Sequence, residues 1–242
     1  MRGRMMHDEE GLLTFQPYGR EGQAINSISR GGLNEVLMTE AEKLGVKIHF
    51  NHRCVGINFD DSIIHYSHND IKGQHSSDII IGSDGAFSVV RRLMQRTDRF
   101  NYSQHYIEHG YKELTIPKSL TGGYEIEKNA LHIWPRGNFM LIALPNQDAT
   151  FTCTLFFPFE GDPSFSSLKS DEQISSFFQR TFPDAYDLMP SLVKEFNQNP
   201  TSSLITIKCY PWVKNKTLLI GDSSHAIVPF YGQGMNSGFE DC

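Results

Sequence analysis

Two segments set the strongest limits on the fold. Ile79-Ile80-Ile81-Gly82-Ser83-Asp84-Gly85 and Leu218-Leu219-Ile220-Gly221-Asp222 each run apolar residues straight into a glycine and an aspartate. Each is followed by helix-prone sequence. A continuous apolar run suits a strand buried on both faces, as in a parallel sheet. The glycine lets the backbone turn tightly, and the short carboxylate beside it can hold a ligand hydroxyl. The same carboxylate can equally cap the helix that follows. Taken alone, either turn reads first as a capped tight turn. Two together favour a binding role, because the second leads into Pro229-Phe230-Tyr231-Gly232-Gln233-Gly234-Met235-Asn236. A glycine-rich entry to a helix aims free N–H groups and the positive helix end at an anion or an electron-rich ring. Gly232 and Gly234 do not begin a G-x-G-x-x-G fingerprint, since they follow a loop and not a strand.

The rest of the sequence has a different texture. Residues 31–44 carry Leu33, Val36, Leu37, Ala41 and Leu44 on one helical face. Val46–Phe50 and Ser62–Tyr66 are β-prone, residues 69–77 read as a polar loop, and residues 86–94 as a helix. From about 100 to 210, short aromatic or alternating runs (111–116, 124–126, 131–134, 139–143, 151–157) are separated by turn residues, the pattern of an antiparallel sheet. Residues 170–195 read as helical, and 204–210 and 217–220 as strands. The expected fold class is therefore mixed α/β. An incomplete Rossmann-like domain at 1–98 resumes at 211–242, and an antiparallel-sheet domain at 99–210 is inserted into it.

Composition narrows the function. The 22 Lys+Arg against 28 Asp+Glu give a net charge of −6, which argues against a nucleic-acid or anionic-membrane binder. The four cysteines, Cys54, Cys153, Cys209 and Cys242, form no C-x-x-C pair and point to neither a zinc module nor a disulfide framework. His65-x-x-His68 and His105-x-x-x-His109 lack a placed third ligand and are read as surface histidines, so no metal is expected. No catalytic nucleophile or acid–base dyad stands out.

Several stretches resemble the single-component flavoprotein aromatic hydroxylases: Arg4-Met5-Met6-His7, Pro17-Tyr18-Gly19, His49 through Arg53, Leu131 through Arg136, Leu141 through Asn146, Phe151 through Phe156, and His225 through Cys242. More narrowly, the chain is similar to the kynurenine-hydroxylating members. The resemblance implies FAD as cofactor, NADPH as co-substrate, and L-kynurenine and O2 as substrates. It also implies a role for particular residues. Arg4 and Tyr18 would hold the substrate carboxylate, and Ile142, Leu144, Phe156, Pro229, Phe230 and Tyr231 would line the aromatic pocket. For FAD, Arg30 would stand beside the phosphates and Cys54 beside the adenosine half. Asp222, following Gly221, would hold a ribityl hydroxyl, and Gly234, Met235 and Asn236 would face the flavin's pyrimidine edge. Asp84 and Gly85 would form the turn nearest the flavin and NADPH. Family members carry an opening strand–G-x-G-x-x-G–helix unit that is not in this sequence, and later helices with a membrane anchor. The chain is thus expected to be a fragment of a protein of the mitochondrial outer membrane, soluble and cytoplasmic by itself. Two other readings stand beside this one: a truncated, non-catalytic product unable to hold FAD, and a hydroxylase of another aromatic acid.

Overall fold

Alternation of buried and outward residues along 130–158 builds one large sheet. In Phe151–Pro158, Phe151, Cys153, Leu155 and Phe157 point to one face. Their partners across the ladder, Ala143 and Leu141 on one side and Ile116 and Leu114 on the other, continue that face. The spatial order of the seven strands is Ser202–Tyr210, Asn101–Ile116, Phe151–Pro158, Phe139–Pro145, Ala130–Arg136, Gly3–His7 and Leu13–Pro17. The computed structural model describes residues 1–242. It resolves into two units, Met1–Leu44 with Glu108–Ser203, and Gly45–Ile107 with Leu204–Cys242.

In the first unit the inner sheet face is covered by Ile174, Phe177, Phe178, Phe182, Leu192 and Phe196. Burying each such side chain is worth about 1.5–3 kcal/mol against leaving it in water. The helix Asp171–Thr181 starts at Ser170, whose hydroxyl takes the Gln173 amide while the Gln173 side chain returns to the Ser170 backbone. The long helix expected over 170–195 is broken into Asp171–Thr181, Pro183–Tyr186 and Leu192–Gln198. Pro183 disfavours helical backbone at the preceding residue, and Phe182 accordingly sits at φ −134°, ψ 57°.

The first seventeen residues depart from the expected division of the chain. Gly3–His7 runs parallel to Ala130–Arg136 and antiparallel to Leu13–Pro17, so both belong to the large sheet and not to an α/β part spanning 1–98. The unit boundaries fall inside the strands Asn101–Ile116 and Ser202–Tyr210 rather than at 98/99 and 210/211. A parallel pairing between strands over a hundred residues apart leaves no local signature. The first strand is also tied in by buried polar bonds. His132 Nε2 donates to the Glu127 carbonyl (2.8 Å), and its Nδ1 lies 2.8 Å from His7 Nε2. His7 Nδ1 meets Asp184 Oδ2 at 2.6 Å, and Trp134 Nε1 donates to the same carboxylate.

In the second unit, Thr217–Leu219 pairs parallel with Ile80–Gly82 and antiparallel with Val213–Lys214. Val90, Met94 and Leu219 pack with Ile57, Phe59, Phe100 and Cys209. Three local expectations are corrected here. Ile80 is buried, but Ile79 and Ile81 are 65% and 56% exposed, so that strand is covered on one face only. Residues 69–77 are not a loop, because Ile71–Ser76 pairs with Ile63–His68 through a two-residue turn at Asn69-Asp70, both with positive φ. Polar side chains are compatible with a strand whose outer side meets solvent. Val46–Phe50 forms no strand, having no neighbour to pair with. The helix expected over 31–44 forms as Arg30–Lys43 in the first unit, with Val36 and Leu37 exposed. No helix is long and apolar enough to cross a membrane.

Candidate functional site

The two Gly-Asp turns lie together in the second unit, held by side chains that their own motifs do not reveal. Arg91 is buried and donates from Nη1 to the Ser223 carbonyl (2.7 Å) and from Nη2 to the Ala86 carbonyl (2.5 Å). One guanidinium thus spans the residues just past each turn. Its face lies 5.2 Å from the Tyr102 ring centre. Ser223, fully buried, places its hydroxyl 2.6 Å from the Gly82 carbonyl and 2.6 Å from that of Ile220. The turns are therefore coupled by a buried cation that two carbonyls hold through its Nη atoms, its Nε–H left without a partner, together with a serine hydroxyl.

The turns differ in what they leave available. Asp84 accepts from the Val89 amide (2.7 Å), the Val90 amide (3.2 Å) and the Ser88 hydroxyl (2.5 Å). Its carboxylate caps the helix Val89–Met94. What the first turn leaves open is Gly85, at φ +79° with free space where a side chain would stand. Asp222 has no such commitment. It opens the short helix Asp222–His225, is exposed, and neither of its carboxylate oxygens has a protein partner. Beside it lies Gly234, where an added Cβ would stand 3.9 Å from Asp222 Oδ1. Gly221 reaches φ +58°, ψ −143°, a conformation a side chain would strain.

Pro229–Tyr231 forms a single 3₁₀ turn closed by Gly232 in the left-handed region. Phe230 and Tyr231 are exposed at 39% and 81%. The helix Gly234–Glu240 follows, with no side-chain cap. Its first internal backbone bond runs from the Ser237 amide to Gln233, so the amides of Gly234, Met235 and Asn236 are left for other acceptors. The Asn236 side chain turns to Gln233. Cys54 lies half-buried at a bulge in Arg53–Asn58, and burial pushes its thiol pKa up.

The remaining predicted residues belong to the first unit. Arg4 and Gln16 are cross-strand partners, and Tyr18 follows two residues later. The Arg4 guanidinium stands 5.5 Å from the Tyr18 ring centre and forms no ion pair. The Tyr18 hydroxyl is shielded from solvent without a hydrogen-bond partner. Along the ladders, Arg4 aligns with Leu131, Met6 with Ile133, and Ile133 with Ile142. Ile142 aligns with Thr154, Leu144 with Thr152, and Met140 with Phe156. Side chains alternate across a sheet, so Arg4, Ile142, Leu144 and Phe156 share the face opposite the phenylalanine-rich core. That face carries a cation, an unsatisfied phenol and an apolar floor. Arg30 is the first residue of its helix, exposed, after the Ser29 cap. The structure thus gathers one set within each unit: Arg4, Tyr18, Ile142, Leu144 and Phe156 in the first, and the two turns with the 229–236 segment in the second.

Residues 18–242 match the FAD binding domain family. The chain is 51% identical over 241 residues to kynurenine 3-monooxygenase of Christiangramia forsetii, covering 98% of this chain and 54% of that protein. It is 50% identical to kynurenine 3-monooxygenase of Dictyostelium discoideum, covering 100% of this chain and 53% of the relative. The chain spans about half the length of the curated relatives it matches. Among solved structures it is similar to 2-methyl-3-hydroxypyridine-5-carboxylic acid oxygenase, with a TM-score of 0.71, 18% identity, and coverage of 96% and 59%. It is also similar to tetracycline destructase Tet(51), with a TM-score of 0.62, 19% identity, and coverage of 98% and 60%. Both likenesses concern the fold.

Proposed function

Because the chain belongs to the FAD binding domain family, we propose that it holds FAD for an NADPH- and O2-dependent monooxygenase that converts L-kynurenine to 3-hydroxykynurenine. The observation that carries the substrate half of this reading is the pairing of Arg4 with an unsatisfied, solvent-shielded Tyr18 hydroxyl above an apolar sheet face. Kynurenine is an aromatic amino acid. A planar guanidinium binds a carboxylate through two parallel bonds and so fixes its direction. A phenol with no internal partner is free to donate to the same group. Ile142, Leu144 and Phe156 supply the apolar surface an aniline ring needs, and they exclude water from it.

The second unit fits the cofactor. The unpartnered Asp222 carboxylate can accept from a ribityl hydroxyl, and Gly234 places no side chain beside it. The free amides of Gly234, Met235 and Asn236 are donors suited to the electron-rich edge of the ring system. Gly85 allows close approach from the first turn. FAD held there would supply oxygen activation at the expense of NADPH. The protein's share is binding, orientation and exclusion of water, which accounts for a site with no acid–base dyad.

The test has two stages. The protein is mixed with FAD, freed of unbound ligand, and its visible spectrum recorded; near-stoichiometric flavin is expected. NADPH oxidation is then followed with L-kynurenine and with other aromatic acids. Stimulation by kynurenine, with 3-hydroxykynurenine formed, is the expected result. A colourless protein would end the cofactor assignment. Stimulation by a different aromatic acid alone would replace the substrate.

A further inference from the structure

The helix Gly234–Glu240 and the Gly221 turn are locked together by Asp241. Its Oδ2 accepts from the Gly221 amide at 2.6 Å and from His225 Nε2 at 2.7 Å. The two backbones also approach closely, since a Cβ on Gly238 would stand 3.7 Å from the Gly221 Cα. The clasp thus grips both ends of the four-residue helix that begins at Asp222. It also fixes the far end of the helix whose first residue, Gly234, faces the Asp222 carboxylate. Both donors converge on one Asp241 oxygen. The Gly221 amide, aided by His225, holds the Asp241 carboxyl below the usual carboxylate range, so it stays an acceptor through neutral pH.

We propose that Asp241 is a positioning residue for the cofactor: through Gly221 and His225 it sets the distance between the Asp222 carboxylate and the amides of Gly234–Asn236, and so governs FAD affinity without touching FAD. The inference rests on the assignment of FAD to this unit. It adds a residue and a mode of action that the glycine-rich pattern does not contain.

The experiment is a double-mutant cycle read by FAD titration, using quenching of flavin fluorescence and the visible spectrum of the bound form. Asp241→Asn keeps an oxygen for the Gly221 amide and loses the charge opposite His225. Asp241→Ala removes both bonds. Loss of a charge-assisted bond that sets geometry is expected to weaken FAD binding about ten-fold in Asp241→Asn and up to about a hundred-fold in Asp241→Ala. If Asp241 acts by placing Asp222, the effects do not add. Asp222→Ala with Asp241→Ala then binds FAD about as weakly as Asp222→Ala alone. Fully additive losses would make Asp241 a merely structural residue and overturn the proposal, as would an unchanged FAD affinity in Asp241→Ala. Should Asp241→Ala fail to fold, Asp241→Asn carries the same cycle with Asp222→Ala. A wild-type protein that takes up no FAD overturns the cofactor assignment, and this proposal with it.

Discussion

Arg4 is exposed and unpaired, yet held in place by the Tyr18 ring at 5.5 Å. A cation in that state adds nothing to an internal ion pair and stands ready for an external carboxylate. On the proposed function, Arg4→Ala is therefore expected to leave the fold intact and to weaken kynurenine binding by about 2–4 kcal/mol, roughly 30- to 1000-fold. Equilibrium titration of the FAD-loaded protein checks this, and an unchanged affinity removes Arg4 from the site. Arg91 is the opposite case. Its guanidinium is buried on the carbonyls of Ala86 and Ser223. Arg91→Met would strand both acceptors, at a cost of about 2–3 kcal/mol. The melting temperature should fall by roughly 4–12 °C, and a shift below a degree would show that the cation does not couple the turns. These two arginines also show what sequence reading reaches at this scale. Arg4 and Tyr18 were legible only through resemblance, since neither spacing nor residue type marks a carboxylate clamp. Arg91, Ser223 and Asp241 went unseen because their partners lie across a turn or far along the chain. Asp84 could be read as ligand holder or helix cap, and only the geometry of Val89 and Val90 shows the cap.

Elements followed the local rules where their signals were local. The helix Arg30–Lys43 and the strands Ala130–Arg136, Phe139–Pro145 and Phe151–Pro158 were legible from period and turn residues alone. The helical run over 170–195 misled because apolar spacing continues through Pro183, while the proline forces a break. The strand Ile71–Ser76 was hidden by its own polarity, and Val46–Phe50 was over-read because β propensity does not supply a pairing partner. The helix Asp171–Thr181 offers a test of this level. Its capping box satisfies donors at the start of the element that lays Ile174, Phe177 and Phe178 on the sheet. Ser170→Ala should cost about 1 kcal/mol, or roughly 2–4 °C in melting temperature. Ser170→Asp, which keeps an acceptor at the same place, should recover most of the loss. An Asp variant no better than Ala would mean that packing alone sets the start of this helix.

At the scale of the whole chain, the α/β class and the alternation of two textures were readable, but the assignment of the first strand was not. Gly3–His7 is placed by His7, which reaches His132 and Asp184 and so joins three distant parts of the chain. Two members of this network, His132 and Asp184, contribute a pH dependence of the same sign to the first unit. Burial, assisted by neighbouring His7, lowers the His132 pKa below its ordinary value of 6.5. Asp184 is pushed up by partial burial, but its bonds from His7 and Trp134 outweigh this and leave it net below its ordinary 3.8. In both cases the unfolded chain binds protons that the folded chain refuses, so stability falls as pH drops. The His132 contribution is complete above pH 6.5 and is lost as pH falls from there through its lowered folded value. The Asp184 contribution follows below 3.8. Melting curves between pH 8 and pH 4 should therefore slope downward toward acid before any carboxylate titrates. The variant His132→Asn cannot take up a proton on unfolding. It should start less stable at pH 8, for want of the imidazole's two bonds, and lose less between pH 7 and pH 5 than the parent. Parallel curves for the two proteins would show that some other group gives the unit its acid sensitivity.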